Sequence, residues 1–410
     1  MRGLEYPEGI VWSKPLLSPL QPLSFETSQK VFQHISNKWD EWAARLVQAV
    51  EGLPLALTII AHLAQSQDCR FLWQQWEEKN IRTIEREKGH RLTSLEASIE
   101  LSVEGYHLKS HSTALVILSL LGMLPGGLAP ARLNCFQNLF QDTQSTRKGV
   151  NALLKSGLAY QSFDTLHVHP LIYHYSKEHL PLSAEHMQLL KQHYIDLSRK
   201  DGSRTVISTE QLLEYKNTGH ILLHCLKTQV PDKALVEAVR NYSWLTTEET
   251  GSFVPELFDL LEQKKEFLSP QCIMDYQLEW GNCLNDCGNL SQAHSMYSEA
   301  LKYAEKQEDE IYQAKFLLSL GRFHGGRCEY DLARSYFTPA IAIYERYNIL
   351  ADQALILSHL SVISRMQFHL QDARECAVRS IELYDQIENK DDSAGYSWMA
   401  LGQADQWFGV

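Results

Sequence analysis

The stretch Leu320-Gly321-Arg322-Phe323-His324-Gly325-Gly326-Arg327-Cys328-Glu329-Tyr330-Asp331-Leu332-Ala333-Arg334-Ser335-Tyr336-Phe337-Thr338-Pro339-Ala340 carries the pattern that decides the fold. Within it, Gly321, Ala333, Phe337 and Ala340 stand at offsets of twelve, four and three. The same offsets relate Gly281, Ala293, Tyr297 and Ala300 forty residues earlier, and Ser361, Ala373, Ala377 and Ser380 forty residues later. A fixed long period marks stacked supersecondary units, each unable to bury its apolar face alone. Offsets of four and three put three residues on one helical face. The offset of twelve spans the end of one helix, a turn and the start of the next. Small residues let the two helices approach, and the aromatic at the third position fills the gap between them. Loop chemistry falls where the turns belong, at Asp286-Cys287-Gly288-Asn289 and at Gly325-Gly326-Arg327.

This pattern resembles the tetratricopeptide repeat. The residues before the small one (Trp280, Leu320, Leu360) and three beyond it (Leu284, His324, Ser364) extend the match. Forty residues instead of thirty-four imply longer helices, as in the arrays of kinesin light chains and of many signalling ATPases. The third unit departs most, with Ser361 for Gly and Ala377 for the aromatic. A fourth begins at Leu401-Gly402, and Val410 falls inside its first helix, which suggests a fragment or a truncated gene model.

Composition narrows the functional classes. A net charge of -12 over 410 residues disfavours non-specific binding to nucleic acid or to anionic membranes, which calls for basic patches. The longest apolar run, Ala114 to Leu124, is too short to cross a bilayer, and no N-terminal stretch reads as a signal peptide. Eight cysteines are scattered with no CxxC, and Cys283 and Cys287 read as two thiols on one helix face. These features point to a reducing, cytoplasmic setting.

From the N-terminus, residues 1–23 are irregular, with Pro7, Pro15, Pro19 and Pro22. Ser24 reads as an N-cap, with Thr27 where a full capping box would hold Glu or Gln. Helices follow at Phe25–Ile35, Trp39–Val50 and Leu55–Gln65, and around Trp73 and Trp76, making a small bundle over residues 24–91. Residues 92–182 follow a different pattern. A helix with Leu95, Ile99, Leu101 and Val103 is followed by the buried run Ala114–Leu124, a stop at Leu124-Pro125-Gly126-Gly127, and a helix at Asn151–Ser156. Two short strands, Gly157–Tyr160 and Leu166–His169, flank Phe163-Asp164-Thr165. Helices followed by a hairpin are the order of a winged helix. Residues 183–270 read as connecting helical pairs, and 271–410 as the repeats, so the expected fold class is mainly α.

The string Glu51-Gly52-Leu53-Pro54-Leu55-Ala56-Leu57, following Pro22-Leu23-Ser24, is similar to the helical domain of the NB-ARC class of STAND signalling ATPases. In that family a P-loop domain precedes a four-helix domain, a winged helix and a repeat sensor. The order here is the same with the P-loop domain lacking. The strings Trp12 to Ser24 and Ser94-Leu95-Glu96-Ala97-Ser98-Ile99 look like fungal members. The resemblance implies that Pro54 packs on an adenine, although proline also suits the first turn of any helix. It implies that His169, in Val168-His169-Pro170-Leu171, meets a diphosphate; Pro170 replaces the family's aspartate, which weakens the resting-state lock. A plain hydrogen-bonded histidine at a strand-to-helix junction fits the same position. Arg2 is the candidate for the arginine that ends the family's sensor strand. ADP would be a cofactor only together with the lacking P-loop domain, and the intact family can oligomerise.

No GxxxxGK[ST] occurs in the sequence, and no aspartate follows an apolar strand to hold magnesium, so no ATP hydrolysis is expected. His167, His169 and His174 lack a further ligand type for a zinc set. The expected function is non-catalytic signalling: a protein or peptide ligand bound on the groove formed by the first helix of each repeat. Gln277, Asn285, Lys315, Arg322, Ser358 and Arg365 are expected to line that groove, a mixture suited to an extended or acidic peptide. The alternatives are a plain repeat scaffold and a winged-helix transcriptional regulator. Residues 92–182 hold six Lys/Arg against six Asp/Glu, a balance that argues against a DNA reader.

Overall fold

The computed structural model describes residues 22–84, 90–105, 110–129, 143–199 and 208–387, together with residues 108, 395, 398, 399, 401 and 402. Arg2, the irregular residues 1–21 and most of the truncated fourth repeat lie outside the described residues. The chain divides into two compact units, Met1–Met187 and Gln188–Val410. Among the described residues there are eighteen α-helices and one two-stranded sheet, so the fold is mainly α.

The first unit opens with α1 (Phe25–Ser36), α2 (Glu41–Ala49), α3 (Pro54–Ser66) and α4 (Cys69–Ile84). Their ends follow the capping rules. The Ser24 hydroxyl accepts from the Thr27 amide at 3.2 Å and lies 2.9 Å from the Thr27 hydroxyl, and the Asp40 carboxylate accepts from the Ala43 amide at 2.7 Å. Phe32, Leu46, Leu57, Ile59 and Ile60 form the core. The Glu51–Pro54 break is tied to the start of α1: the Leu23 amide donates to the Gly52 carbonyl at 3.0 Å. Gly52 has φ +68°, and a Cβ there would lie 2.3 Å from the Leu23 carbonyl oxygen. Only glycine fits that turn.

Next come α5 (His90–Glu104), α6 (Ser112–Leu121), α7 (Thr143–Lys155), β1 (Tyr160–Ser162), β2 (Thr165–His167) and α8 (Pro170–His179). Helix α5 packs on α3 and α4, and α6 packs on α7 and α8. The hairpin sits closer to its turn than the sequence suggested. Tyr160 pairs with His167 and Ser162 with Thr165, leaving Phe163 and Asp164 as a two-residue turn, and a further bridge joins Leu128 to Leu166. Leu158 and Ala159 look like strand residues because they are apolar, but they are buried as plugs after α7, where the Ala159 amide returns to the Leu153 carbonyl. Helix α7 begins eight residues before the expected Asn151; its first turns are polar and carry no apolar period to read.

The boundary between the units falls within α9 (Ala184–Leu197). The second unit continues with α10 (Thr209–Thr228), α11 (Lys233–Thr250), α12 (Pro255–Gln263) and a 3₁₀ turn, Lys265–Phe267. Ser208 and Gln211 form a reciprocal capping box at the start of α10. The three repeats are α13/α14 (Pro270–Asp286, Leu290–Lys306), α15/α16 (Glu310–Gly326, Tyr330–Arg346) and α17/α18 (Leu350–Met366, Leu370–Asp385). They form an α-α superhelix of the tetratricopeptide type, and α11 packs on α13 as a preceding layer.

The packing inside each repeat follows the motif. A Cβ on Gly281 would lie 2.4 Å from the Tyr297 ring, and one on Gly321 the same distance from the Phe337 ring. In the third repeat, where Ser361 and Ala377 stand in place of the glycine and the ring, the Ser361 hydroxyl donates to the Ala373 carbonyl at 2.7 Å. Ala293, Ala300, Ala333, Ala340, Ala373 and Ala377 are all fully buried.

The turns reveal a half-period. Gly288, Glu308, Cys328, Asn348 and Phe368 all have positive φ, between +54° and +79°, and stand twenty residues apart. At each, the amide of the left-handed residue donates to the carbonyl three residues back, and the next amide to the carbonyl five back, as in Cys328 to Gly325 and Glu329 to His324. This pair of bonds is the Schellman motif, which satisfies the last carbonyls of a helix. The expected Gly325-Gly326 turn is therefore the final turn of α15, and Cys328 takes the left-handed position. The helix length shared by the array decides the turn over the local preference of two glycines.

Candidate functional site

The second unit holds a cavity of about 200 Å³ walled by three successive first helices, α11, α13 and α15, with Tyr297 of α14 behind them. From α11 come Trp244, Thr247 and Glu248; from α13, Glu279, Asn282, Cys283, Asn285 and Asp286; from α15, Ser319, Arg322 and Phe323. Glu279, Asn282 and Asp286 share a face because they are three and four residues apart. The Tyr297 hydroxyl donates to Asn282 Oδ1 at 2.8 Å, which fixes the amide at the back wall. Burial raises the pKa of the Tyr297 phenol, opposed by Arg322 and reinforced by Asp286 and Glu279. Burial, with Glu279 next, also raises that of the Cys283 thiol, whose Sγ lies 3.8 Å from Glu279 Oε1. Both groups stay protonated at neutral pH and serve as donors, not nucleophiles.

The residues expected in the groove divide. Asn285 and Arg322 line this cavity together. Lys315 lies on the same helix as Arg322, seven residues before it and outside the cavity lining, its Nζ 4.4 Å above the Tyr312 ring. The Tyr312 hydroxyl donates to Asp275 at 2.7 Å, and Asp275 also pairs with Arg240 at 3.0 Å. Arg365 is half-buried, with its Nε enclosed and lacking a hydrogen-bond partner. Gln277 and Ser358 are buried, at 8% and 4% exposure, and Ser358 donates to its own helix at the Leu355 carbonyl. Residues at those two positions are enclosed between helices and present no side chain to an open face. The α11 contribution was not legible, because Trp244 and Glu248 belong to no repeat motif. Glu279 and Asp286 carried a signal, their i, i+7 spacing around Asn282.

In the first unit, Pro54 is exposed at the first position of α3, where its lacking N–H is no loss. His169 is the exposed N-cap of α8, and its Nδ1 accepts from the Leu171 amide at 3.3 Å. A small cavity of about 180 Å³ lies beside it, lined by Leu124, Pro125, Gly127, His167, Val168, Pro170 and Tyr173. Among the described residues no group of His, Cys, Asp or Glu is placed to hold a metal ion, and no helix is long and apolar enough to cross a membrane.

No protein-family model and no curated protein matches the chain. Among solved structures the chain is similar to a signal transduction ATPase with numerous domains (STAND) that has a tetratricopeptide repeat sensor, from Pyrococcus horikoshii. The two are 13% identical, with a TM-score of 0.41 over 95% of this chain and 58% of that one. This chain thus spans about 58% of the length of that protein.

Proposed function

We infer that this chain carries the sensing and relay elements of a STAND-type signalling protein of the NB-ARC kind, and that it binds a protein partner through its repeat array. One observation carries this reading. The first helices of three successive layers turn Trp244, Glu248, Glu279, Asn285, Asp286 and Arg322 into a common cavity. A face built from one helix per layer suits an extended segment that crosses the layers. The cavity volume of about 200 Å³ is below the roughly 300–1,000 Å³ of sites that enclose a drug-sized ligand. It therefore fits side chains of a partner better than a nucleotide. The reading is non-catalytic, because the sequence contains no phosphate-cradling GxxxxGK[ST]. Pro54 and His169, both exposed at helix starts, are the residues a nucleotide-bound P-loop domain would meet from outside.

Selection of an extended-peptide library on the purified chain tests the reading. Enriched peptides should bind in the micromolar range and lose binding to Trp244→Ala/Asn285→Ala, while Arg379→Ala, an exposed position on α18, binds as the parent does. Peptides that bind all three proteins equally would place the partner elsewhere and overturn the assignment.

A further inference from the structure

We propose that the cavity between α11, α13 and α15 receives a cationic side chain of the partner, arginine before lysine. The proposal rests on the protein-binding reading and specifies its chemistry. It reverses the acidic peptide that Lys315, Arg322 and Arg365 suggest by themselves, because the residues that meet Arg322 come from other helices.

Three carboxylates, Glu248, Glu279 and Asp286, line the cavity against one guanidinium, that of Arg322. Both signs of charge reach the back wall: after burial, Arg322 acts most strongly on the Tyr297 phenol and lowers its pKa, while Asp286 and Glu279 raise it. The carboxylates sit on two helices and do not converge into a metal-holding group. A calcium ion would need six to eight oxygens within about 2.6 Å. A longer cation reached from several sides satisfies the arrangement instead. Three aromatic side chains, Trp244, Tyr297 and Phe323, share the wall with Thr247, Ser319, Cys283 and the two asparagines. Aromatic faces attract a guanidinium or ammonium within about 6 Å of the ring centre. The two asparagines at this wall are held in place, Asn282 Oδ1 accepting from the Tyr297 hydroxyl and Asn285 Nδ2 donating to Asp286 Oδ1 at 3.1 Å. Arginine fits better than lysine, because its planar fork stacks on rings and pairs with carboxylates bidentately.

The test titrates the whole chain with blocked arginine, blocked lysine and blocked glutamate amides, up to tens of millimolar. The readout is the Trp244 indole N–H resonance, assigned through Trp244→Phe. Arginine and lysine amides should shift it saturably, arginine at lower concentration, and glutamate amide should not. Removing charge should weaken arginine binding by roughly two- to fivefold per carboxylate, as expected for partly exposed ion pairs. Glu248→Gln, at an exposed position, and Asp286→Asn measure this singly. Arg322→Gln removes the competing cation and should tighten arginine binding by a similar factor, a gain that damage to the fold would not produce. No saturable shift with either cation, or an equal response to glutamate, overturns the proposal. Library selection that enriches acidic or neutral peptides sensitive to Asn285→Ala would also overturn it, while leaving the protein-binding reading intact.

Discussion

Replacing Gly321 by alanine sets local preference against packing, and the structure says which wins. In an open helix the change stabilises by roughly 1 kcal/mol, because glycine is the more flexible residue in the unfolded chain. Here the new Cβ would lie 2.4 Å from Cε1 of Phe337, 2.6 Å from Cδ1 and 2.9 Å from Cζ, where ordinary contact begins near 3.4 Å. The ring must retreat by about 1 Å. It has nowhere to go: Phe337 is 1% exposed and stacked at 5.8 Å on His359 of the next repeat. Overpacking of this kind costs roughly 1–3 kcal/mol. Gly321→Ala should therefore destabilise the array by up to about 2 kcal/mol once the propensity gain of about 1 kcal/mol is subtracted. Urea unfolding followed by circular dichroism reads this as a lower midpoint at constant slope. The same change in a Phe337→Ala background should instead stabilise, since the third repeat already pairs Ser361 with Ala377. The double-mutant cycle then yields a coupling of roughly 1–3 kcal/mol. A rise in stability with Phe337 present, or simple additivity, would refute the assigned contact.

Three further outcomes follow from the same packing. Ala333→Leu, at a fully buried position in the middle repeat, should lower the thermal midpoint and cost roughly 1–3 kcal/mol; an unchanged midpoint would contradict the repeat register. Glu308 is exposed at φ +56°, so Glu308→Gly should stabilise by roughly 0.5–1 kcal/mol, and Gly288→Glu, at the equivalent turn, should reverse the sign. Burial, with Arg322 second, holds the pKa of His359 at about 4, below its ordinary 6.5. The unfolded chain takes up this proton first, so stability is fully present above pH 6.5 and is lost as pH falls toward 4. His359→Gln should flatten that limb, seen as a smaller drop in urea midpoint between about pH 7 and pH 5.

Much of the array was legible in the sequence because its contacts are short in sequence. The offsets from Gly321 to Ala333, Phe337 and Ala340 describe one hairpin, and hairpin packing depends on residues within twenty positions of each other. The Ser24 cap and the Gly52 turn were legible for the same reason. Exposure was less so. Gln277 and Ser358 share helices with groove residues, yet they face neighbouring layers and are buried, and polarity alone does not reveal that.

The sequence by itself determined the period of forty, the hairpin contacts and the mainly α class, since each rests on local spacing that only one helical geometry satisfies. Tertiary structure alone decided the rest. The twenty-residue turn rhythm places Cys328 and Phe368 in left-handed positions that their side chains disfavour, because the common helix length of the stack outweighs a local cost of about 1–2 kcal/mol. It also decided the charge of the candidate site. Arg322 reads as part of a basic groove along its own helix, and becomes the lone cation among Glu248, Glu279 and Asp286 only when α11 and α13 pack beside it. Those partners lie 36 to 74 residues away in sequence. An electrostatic field sums over all charges near in space, and a linear pattern records only those near in the chain.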